Sequence, residues 1–477
     1  MDNTAFAPAL WRLDPEQKKG EGILGNASFD EMGGATLDIP MGTLLQEPII
    51  EGVRTHAGPL RADAVYGYTQ TGDNLTLVEV STMGSSYAFP GTSRQQLDAH
   101  YAFSCRKKVI KPNPSIKSIQ LTIDGLWRWS GLHNGSITEK LRESEHSIVG
   151  EWKSSDLTKI TIYGDNAIKV SLIPTYTQKG GLCPFQEFSI RADASLLIEM
   201  LQGPIPLDSA MEHYAFPLWS FLSFCMGFRG DLKQIQLFDD DDNKVMYFMP
   251  LMKGVTDPSN KLIQTMPLPL RAIDSNTLIR NWLTMPADTR RASSIIISLM
   301  DDELMKMLDA RFTNIASAFD ALSRVGGPKI GIGKEDHAEI IRCVECALSH
   351  KPDLQEWALG RLQGNYPRAS ELAKSLFDRL AAFSAYVVPD RDRFLGDLRY
   401  NRNAYVHQTS KLKNGKRALS GLDLYVHTQA LYTICYGAIM YQLGLAPENI
   451  LDHFKKSTYL DEYIHAARKK YGLTELP

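Results

Sequence analysis

The sequence is short of the features that would settle its function quickly. No stretch approaches 18 consecutive apolar residues, so no membrane-spanning helix is expected. The N-terminus lacks a basic start followed by an apolar run, so no signal peptide is expected. Six cysteines scattered over 477 residues make no disulfide framework, and a reducing cytoplasm is the simplest setting. There is no G-x(4)-G-K-[ST] phosphate loop: Gly326–Gly333 is Gly-rich but follows no strand signal and reads as a flexible connector. There is no internal repeat and no long low-complexity segment. There is also no strong charge of one sign. At net −3 the whole chain does not attract nucleic acid, so any such site must be a local basic patch. What remains is an ordinary globular composition, 43% hydrophobic and 22% charged.

The first half has strand periods. Asn74–Val80, Ser118–Ile123 and Lys159–Tyr163 are runs rich in β-branched and aromatic residues. Gly164-Asp165-Asn166 predicts a tight turn into Ala167–Leu172, and Asp239–Asn243 predicts a second between Gln234–Phe238 and Lys244–Phe248. The acidic run at that second turn lacks the Gly and terminal Glu of a calcium loop and reads as a solvated turn. One helix is expected over Asp208–Met226. Trp127 and Trp129 alternate on an expected strand, either as core and rim or as an aromatic platform for a sugar or peptide.

Boundaries are expected near residue 150 and, more clearly, over Gly254–Ile273, where Pro258, Pro267 and Pro269 interrupt any period. After about Thr289 the apolar residues recur at three- and four-residue steps, and helices are expected over about 335–350, 353–363, 369–387, 391–408, 420–443 and 447–471. Ser420 and Gly444 are candidate cap and stop for one of them. The expected division is thus 1–150 and 151–270, both β-rich, then 275–477, helical. The fold class is α+β: one or two antiparallel β subdomains followed by an all-α bundle.

The chemistry concentrates on the helix at 391–408. Phe394, Leu395, Leu398 and Tyr405 supply a core face, while Arg399, Arg402, Asn403 and His407 crowd the other. Asn403 and His407 are one turn apart. Arg402 sits five residues before the histidine, about 140° around the helix, which a long guanidinium can span. The same offset suits a site shared by two facing copies. An imidazole can move a proton to or from RNA oxygens near neutrality. An Arg can clamp a phosphate, and an Asn can orient the phosphate or the imidazole. Residues 391–417 hold eight Lys or Arg against two acids, so Arg399, Lys411 and Lys413 are candidate RNA contacts. By spacing alone, R-x(4)-H also fits a solvated helix face with a surface histidine. Cys343, Cys346 and His350 share a helix face and suit zinc by type, although cysteines in such a helix also serve as small core filling. His427 and His453 have no partners at ligand spacing.

Taken together, these residues resemble the HEPN superfamily and, within it, the ApeA-like abortive-infection proteins of bacteria. The resemblance runs over about 290–450, through Ala318–Leu322, Gln363–Asn365 leading into Leu372–Leu380, Arg402–His407 and Tyr441–Leu445. Residues 20–250 look like the β-rich N-terminal region of the same proteins, through Ile119–Gly131. The resemblance implies an all-α HEPN bundle that acts as a metal-independent endoribonuclease in anti-phage defence. It implies Arg402 and His407 as the catalytic pair, with Asn403 beside them, and no metal or cofactor. The implied partners are RNA, a second copy through the HEPN domain, and a phage-derived trigger on the N-terminal region, with no membrane. Asp320 stands where the family has a Glu in the first long helix, so no acidic partner is assigned there. Two other readings remain: a non-catalytic dimerisation and nucleic-acid-binding scaffold with a ligand-binding β region, and a lectin-like β region.

Overall fold

The computed structural model describes residues 4–5, 8–18, 20–29, 34–46, 49–50, 53–54, 58–88, 92–131, 135–142, 145–152, 159–179, 189–249, 266–300, 307–406, 418–457 and 461–472. They fall into two compact units: one holds the strands together with Pro269–Ile279, the other chiefly the residues from Arg280 onward.

Six antiparallel strands of the first unit close into a barrel. They are β1 (Ala9–Arg12), β2 (Ile23–Phe29), β3 (Ala35–Ile39), β4 (Arg61–Thr69), β5 (Asn74–Ala88) and β6 (Thr92–Cys105). The ring runs β1–β2–β3–β6–β5–β4 and returns to β1. Closure leaves this ring without a free edge. Trp11 fills the interior and is fully buried. It fits because Gly25 and Gly67, on the two flanking strands, carry no Cβ: one built on Gly67 would stand 2.8 Å from the indole. The indole N–H donates to the Gly25 carbonyl at 3.1 Å. Buried Gln95 fastens the Leu44–Leu45 segment, accepting from both amides and donating to the Leu45 carbonyl.

Strand β6 also belongs to a second, open sheet. Its residues 95–99 pair with β3, and its residues Ala102–Ser104 pair with β12 (Lys244–Phe248). From there the order is β11 (Leu232–Phe238), β7 (Ser118–Ile123), β10 (Ser189–Met200), β9 (Ile168–Lys179) and β8 (Ile160–Gly164). The division expected at residue 150 therefore does not separate two sheets. Strands from both sides of it share one hydrogen-bonded ladder.

Both predicted turns are present. Asp165 caps the first by accepting from the Ala167 and Ile168 amides. Asp239 caps the second by accepting from the Asp241 and Asn243 amides, while Lys108 and Lys117 pair with Asp239 and Asp242. The acidic run is thus held by lysines.

Trp127 and Trp129 do not lie on a strand. They belong to a short helix, α1 (Leu126–Ser130), bracketed by Gly125 and Gly131 in the left-handed region. Those two glycines allow the chain to enter and leave a single helical turn. Trp129 is fully buried. The expected helix over Asp208–Met226 is a helical run with a π turn at Met211–Ala215, ending in α2 (Phe216–Met226).

The helical region comprises α3 (Ser275–Leu283), α4 (Ala287–Ser298), α5 (Leu308–Arg324), α6 (Lys334–Ala347), α7 (Pro352–Leu362), α8 (Ala369–Val387), α9 (Arg391–Val406), α10 (Gly421–Gln442), α11 (Pro447–Lys456) and α12 (Asp461–Lys470). The expected helix 447–471 is two helices. Most of the expected boundary at 254–273 lies outside the described residues. Helix α10 is the core of the second unit. It is buried on every side from Thr428 to Met440 and packs against α4, α5, α8, α11 and α12. Ser420 precedes it without a side-chain cap bond. Gly444, in the left-handed region, follows its end, and its amide donates to the Tyr441 carbonyl. The Gly-rich connector is held in place by Asn365, which accepts from the Gly331 and Ile332 amides and donates to the Ile332 carbonyl. Among the described residues no helix is long and apolar enough to cross a membrane.

Candidate active site

Helix α9 is placed by its apolar face. Phe394 is fully buried, its ring 4.5 Å from that of His427, 5.2 Å from Tyr471 and 5.9 Å from Phe377. Leu398, Asn401 and Ala404 continue the buried side at three- and four-residue steps. That phase turns Arg399 and Asn403 outward and leaves Arg402 at an intermediate position.

The polar residue on the buried side is used structurally. Asn401 donates to the Asp397 carbonyl and accepts from the Leu419 amide, both at 2.7 Å. Tyr405 donates its hydroxyl to the Leu419 carbonyl at 2.5 Å. The chain that leaves α9 at Val406 is therefore fastened back to the same helix at Leu419. His407, Lys411 and Lys413 lie between those points, outside the described residues.

Arg402 reaches across to α5. Its Nη2 is 2.5 Å from Oδ2 of Asp320, with the arginine side chain 43% exposed and the aspartate 22%. Burial raises the Asp320 carboxyl above its usual range, and the nearby positive charges of Arg402 and Arg324 only partly offset this. The pair is thus a half-sheltered contact that draws a guanidinium to the edge of the bundle. The pairing engages one side of the Arg402 head, and a guanidinium carries five N–H donors.

Arg399 is exposed, with its guanidinium carbon 5.1 Å from the Tyr400 ring centroid. Arg391 is bound to Asp378 at 2.6 Å. Acids from other helices thus compensate part of the positive charge that the sequence counts over 391–417.

His427 is a buried core residue. Its Nδ1 lies 2.6 Å from the Tyr471 hydroxyl, which in turn contacts Asp397 at 3.2 Å. Burial, followed by the charge of Lys470, pushes its imidazole down to about 3. It stays neutral near neutrality and is no proton shuttle there. Burial likewise lowers the His453 imidazole. Cys343 and Cys346 are exposed on α6 rather than filling a core. Among the described residues no three His, Cys, Asp or Glu side chains converge as a metal site.

Of the residues singled out from sequence, Arg399, Arg402 and Asn403 share the outer half of one helix. The sequence reading missed Asp320 as the partner of Arg402 and the clamp of Asn401 and Tyr405 on Leu419. The acidic residue was visible on the first long helix, but 82 positions separate it from its partner. Residues 313–449, which include α9 and its partner α5 from Thr313 on, match the family described as Apea-like HEPN. Residues 9–282, more than half of the chain, match the family described as ApeA N-terminal domain 1, and the chain belongs to that family. No curated protein and no solved structure matches it.

Proposed function

We propose that this chain is a metal-independent endoribonuclease that acts in anti-phage defence by abortive infection. In this reading Arg402 holds the scissile phosphate of a cellular RNA. The RNA 2′-oxygen attacks the adjacent phosphorus, the bond to the 5′-oxygen breaks, and a 2′,3′-cyclic phosphate and a 5′-hydroxyl result. His407 takes the 2′-hydroxyl proton or gives one to the departing 5′-oxygen. Asn403 orients the phosphate or the imidazole. Arg399, Lys411 and Lys413 hold neighbouring phosphates. The β-rich region senses infection through a phage-derived trigger, and the active form is a dimer or higher oligomer.

The observation that carries the reading is the placement of Arg402. Within a HEPN domain, it stands half-exposed at the end of α9, fixed by Asp320 and adjacent in sequence to exposed Asn403. The test is His407→Ala in the full chain. RNA cleavage and the accompanying toxicity should fall by roughly 10²–10⁴, the worth of a general acid or base. Undiminished cleavage with an unchanged oligomeric state refutes the assignment.

The same ion pair favours a second reading, a scaffold without catalysis, in which Arg402 merely ties α9 to α5. On that reading Arg402→Ala lowers stability while purified wild-type protein cuts no RNA at all.

A further inference from the structure

Lys470 and Tyr471 lie beyond the stretch that matches the HEPN family, yet between them they hold both helices that flank the His407 segment. Tyr471 is fully buried and meets α9 along one face. Its carbonyl accepts from the Asp390 amide at 2.9 Å, and the Asp390 carboxylate in turn accepts from the Arg393 amide at the start of that helix. The Arg393 guanidinium carbon lies 5.7 Å from the Tyr471 ring centroid, and the Phe394 ring lies 5.2 Å from it. The Tyr471 hydroxyl donates to Oδ2 of Asp397 at 3.2 Å. Positions 390, 393, 394 and 397 are spaced as one face of a helix. Lys470 grips the other helix. Its Nζ donates to the Asp423 carbonyl at 2.7 Å and to Oδ1 of the same residue at 2.9 Å, in the first turn of α10.

We propose that Lys470 and Tyr471 are positioning residues for RNA cleavage: they form a clasp that fixes α9 against the start of α10 and thereby aims Arg402 and Asn403. The role rests on the ribonuclease reading of α9; the clasp itself does not. At its centre is a directed relay. A carboxylate only accepts, so the Tyr471 proton points to Asp397, and the phenol oxygen accepts from His427, whose Nδ1 is 2.6 Å away. That places the imidazole proton on Nδ1 and leaves Nε2 a bare acceptor, in agreement with its lack of a hydrogen-bond partner among the described residues. Burial, followed by the Asp397 charge, pushes the phenol up, so it keeps its proton. The relay runs one way, from α10 through Tyr471 to α9, and ends on a charge.

The clasp and the candidate site share one rigid element. Arg402 is five residues past Asp397, roughly 7.5 Å along the helix axis at about 1.5 Å per residue. Leu419, just before α10, is bound to Asn401 and Tyr405 of α9. Both ends of the chain that carries His407 are therefore tied to two helices whose mutual position Lys470 and Tyr471 set. Arg468 completes the grip, its Nη1 donating to the Tyr386 carbonyl at 2.7 Å, near the end of α8. A displacement of about 1 Å at a reacting group costs on the order of 10² in rate. Removing one hydroxyl from the clasp therefore slows the chemistry while the fold survives.

The test uses the full chain. Tyr471→Phe keeps the ring and the backbone contact and loses only the hydroxyl. On a defined RNA its kcat should fall about tenfold while KM stays within about threefold, the mark of a contact that matters in the transition state. Lys470→Met should lower kcat by about threefold through the lost hydrogen bonds, and Lys470→Arg, which keeps donors for Asp423, should restore it. Hydrogen exchange of the α9 amides from Asp397 to Val406 should quicken in Tyr471→Phe, with those of α4 unchanged. Phe454→Leu is the control: it lies on α11 against Phe383 and Tyr436, and should lower the thermal midpoint while leaving kcat alone. A wild-type kcat in Tyr471→Phe overturns the proposal. So does an equal loss of kcat in Phe454→Leu, which marks a general effect of instability. Wild type that cuts no RNA refutes the ribonuclease reading instead. The clasp is then decided by exchange alone, and equal α9 exchange in wild type and Tyr471→Phe overturns it.

Discussion

Arg402 and Asp320 meet at 2.5 Å across two helices, from positions 82 residues apart in the chain. A part-exposed ion pair contributes little to stability, about 0–1 kcal/mol, so this contact matters chiefly for where the guanidinium points. An arginine held on one side by a carboxylate presents its remaining donors in a fixed direction, and that is what a phosphate clamp needs.

Asp320→Asn should therefore lower RNA cleavage by about tenfold, because a neutral amide holds the guanidinium less firmly, and Asp320→Glu should recover most of it. Arg402→Lys should rescue poorly, since an ammonium cannot make the two-pronged contact. Rates measured on a defined RNA would decide; an Asp320→Asn rate equal to wild type removes the positioning role.

Metal removal should leave cleavage intact. With the RNA 2′-hydroxyl as nucleophile, activity should persist in excess chelator, and a 2′-deoxy sugar at the cut site should abolish scission. Cleavage that needs added Mg²⁺ or Mn²⁺ would mean a different nuclease chemistry.

Acid should unfold the helical region through His427. Its imidazole is pushed down to about 3 in the fold from an ordinary 6.5, so the unfolded chain binds the proton more readily. Stability from this group is complete above pH 6.5 and is lost as pH falls through that value towards 3. His427→Gln should cost stability at pH 7.5 and flatten the acid limb between those values. Denaturation midpoints across pH would show it. A variant with the same acid slope as wild type would move the cause elsewhere.

Tyr405→Phe removes one hydrogen bond to Leu419 and should cost about 1 kcal/mol, while Asn401→Ala removes two bonds at a buried position and should cost roughly 2–3 kcal/mol. Both should also reduce cleavage, because the chain bearing His407 leaves α9 just before that anchor. Urea midpoints and rates can be compared in the same preparations; full activity in a destabilised Asn401→Ala would detach the anchor from the site.

Local features of the fold could be read from sequence, and distant ones could not. The two hairpin turns announced themselves because Asp165 and Asp239 bond to amides within four residues of themselves. The face of α9 was legible because Phe394 and Leu398 stand one helical turn apart and are both buried, whereas Leu395 and Tyr405, expected on the same face, reach intermediate burial and the buried Asn401 went unread because it is polar. Trp127 and Trp129 misled because alternation over three residues fits a strand as well as a helical turn. The glycines at 125 and 131 were the better signal. Barrel closure was illegible, since Ala35–Ile39 pairs with Gln95–Ala99 across about sixty residues and no spacing encodes that partnership. The Arg402–Asp320 contact was hidden for the same reason.

Strand β6 belongs to the barrel and to the open sheet at once. It cannot slide in one without sliding in the other, and a slip of one residue would turn each of its side chains to the opposite face. A load applied anywhere on the barrel is therefore carried through a continuous backbone, with no joint between the two sheets to absorb it. The two sheets thus share one register, and displacing either along this strand displaces the other with it.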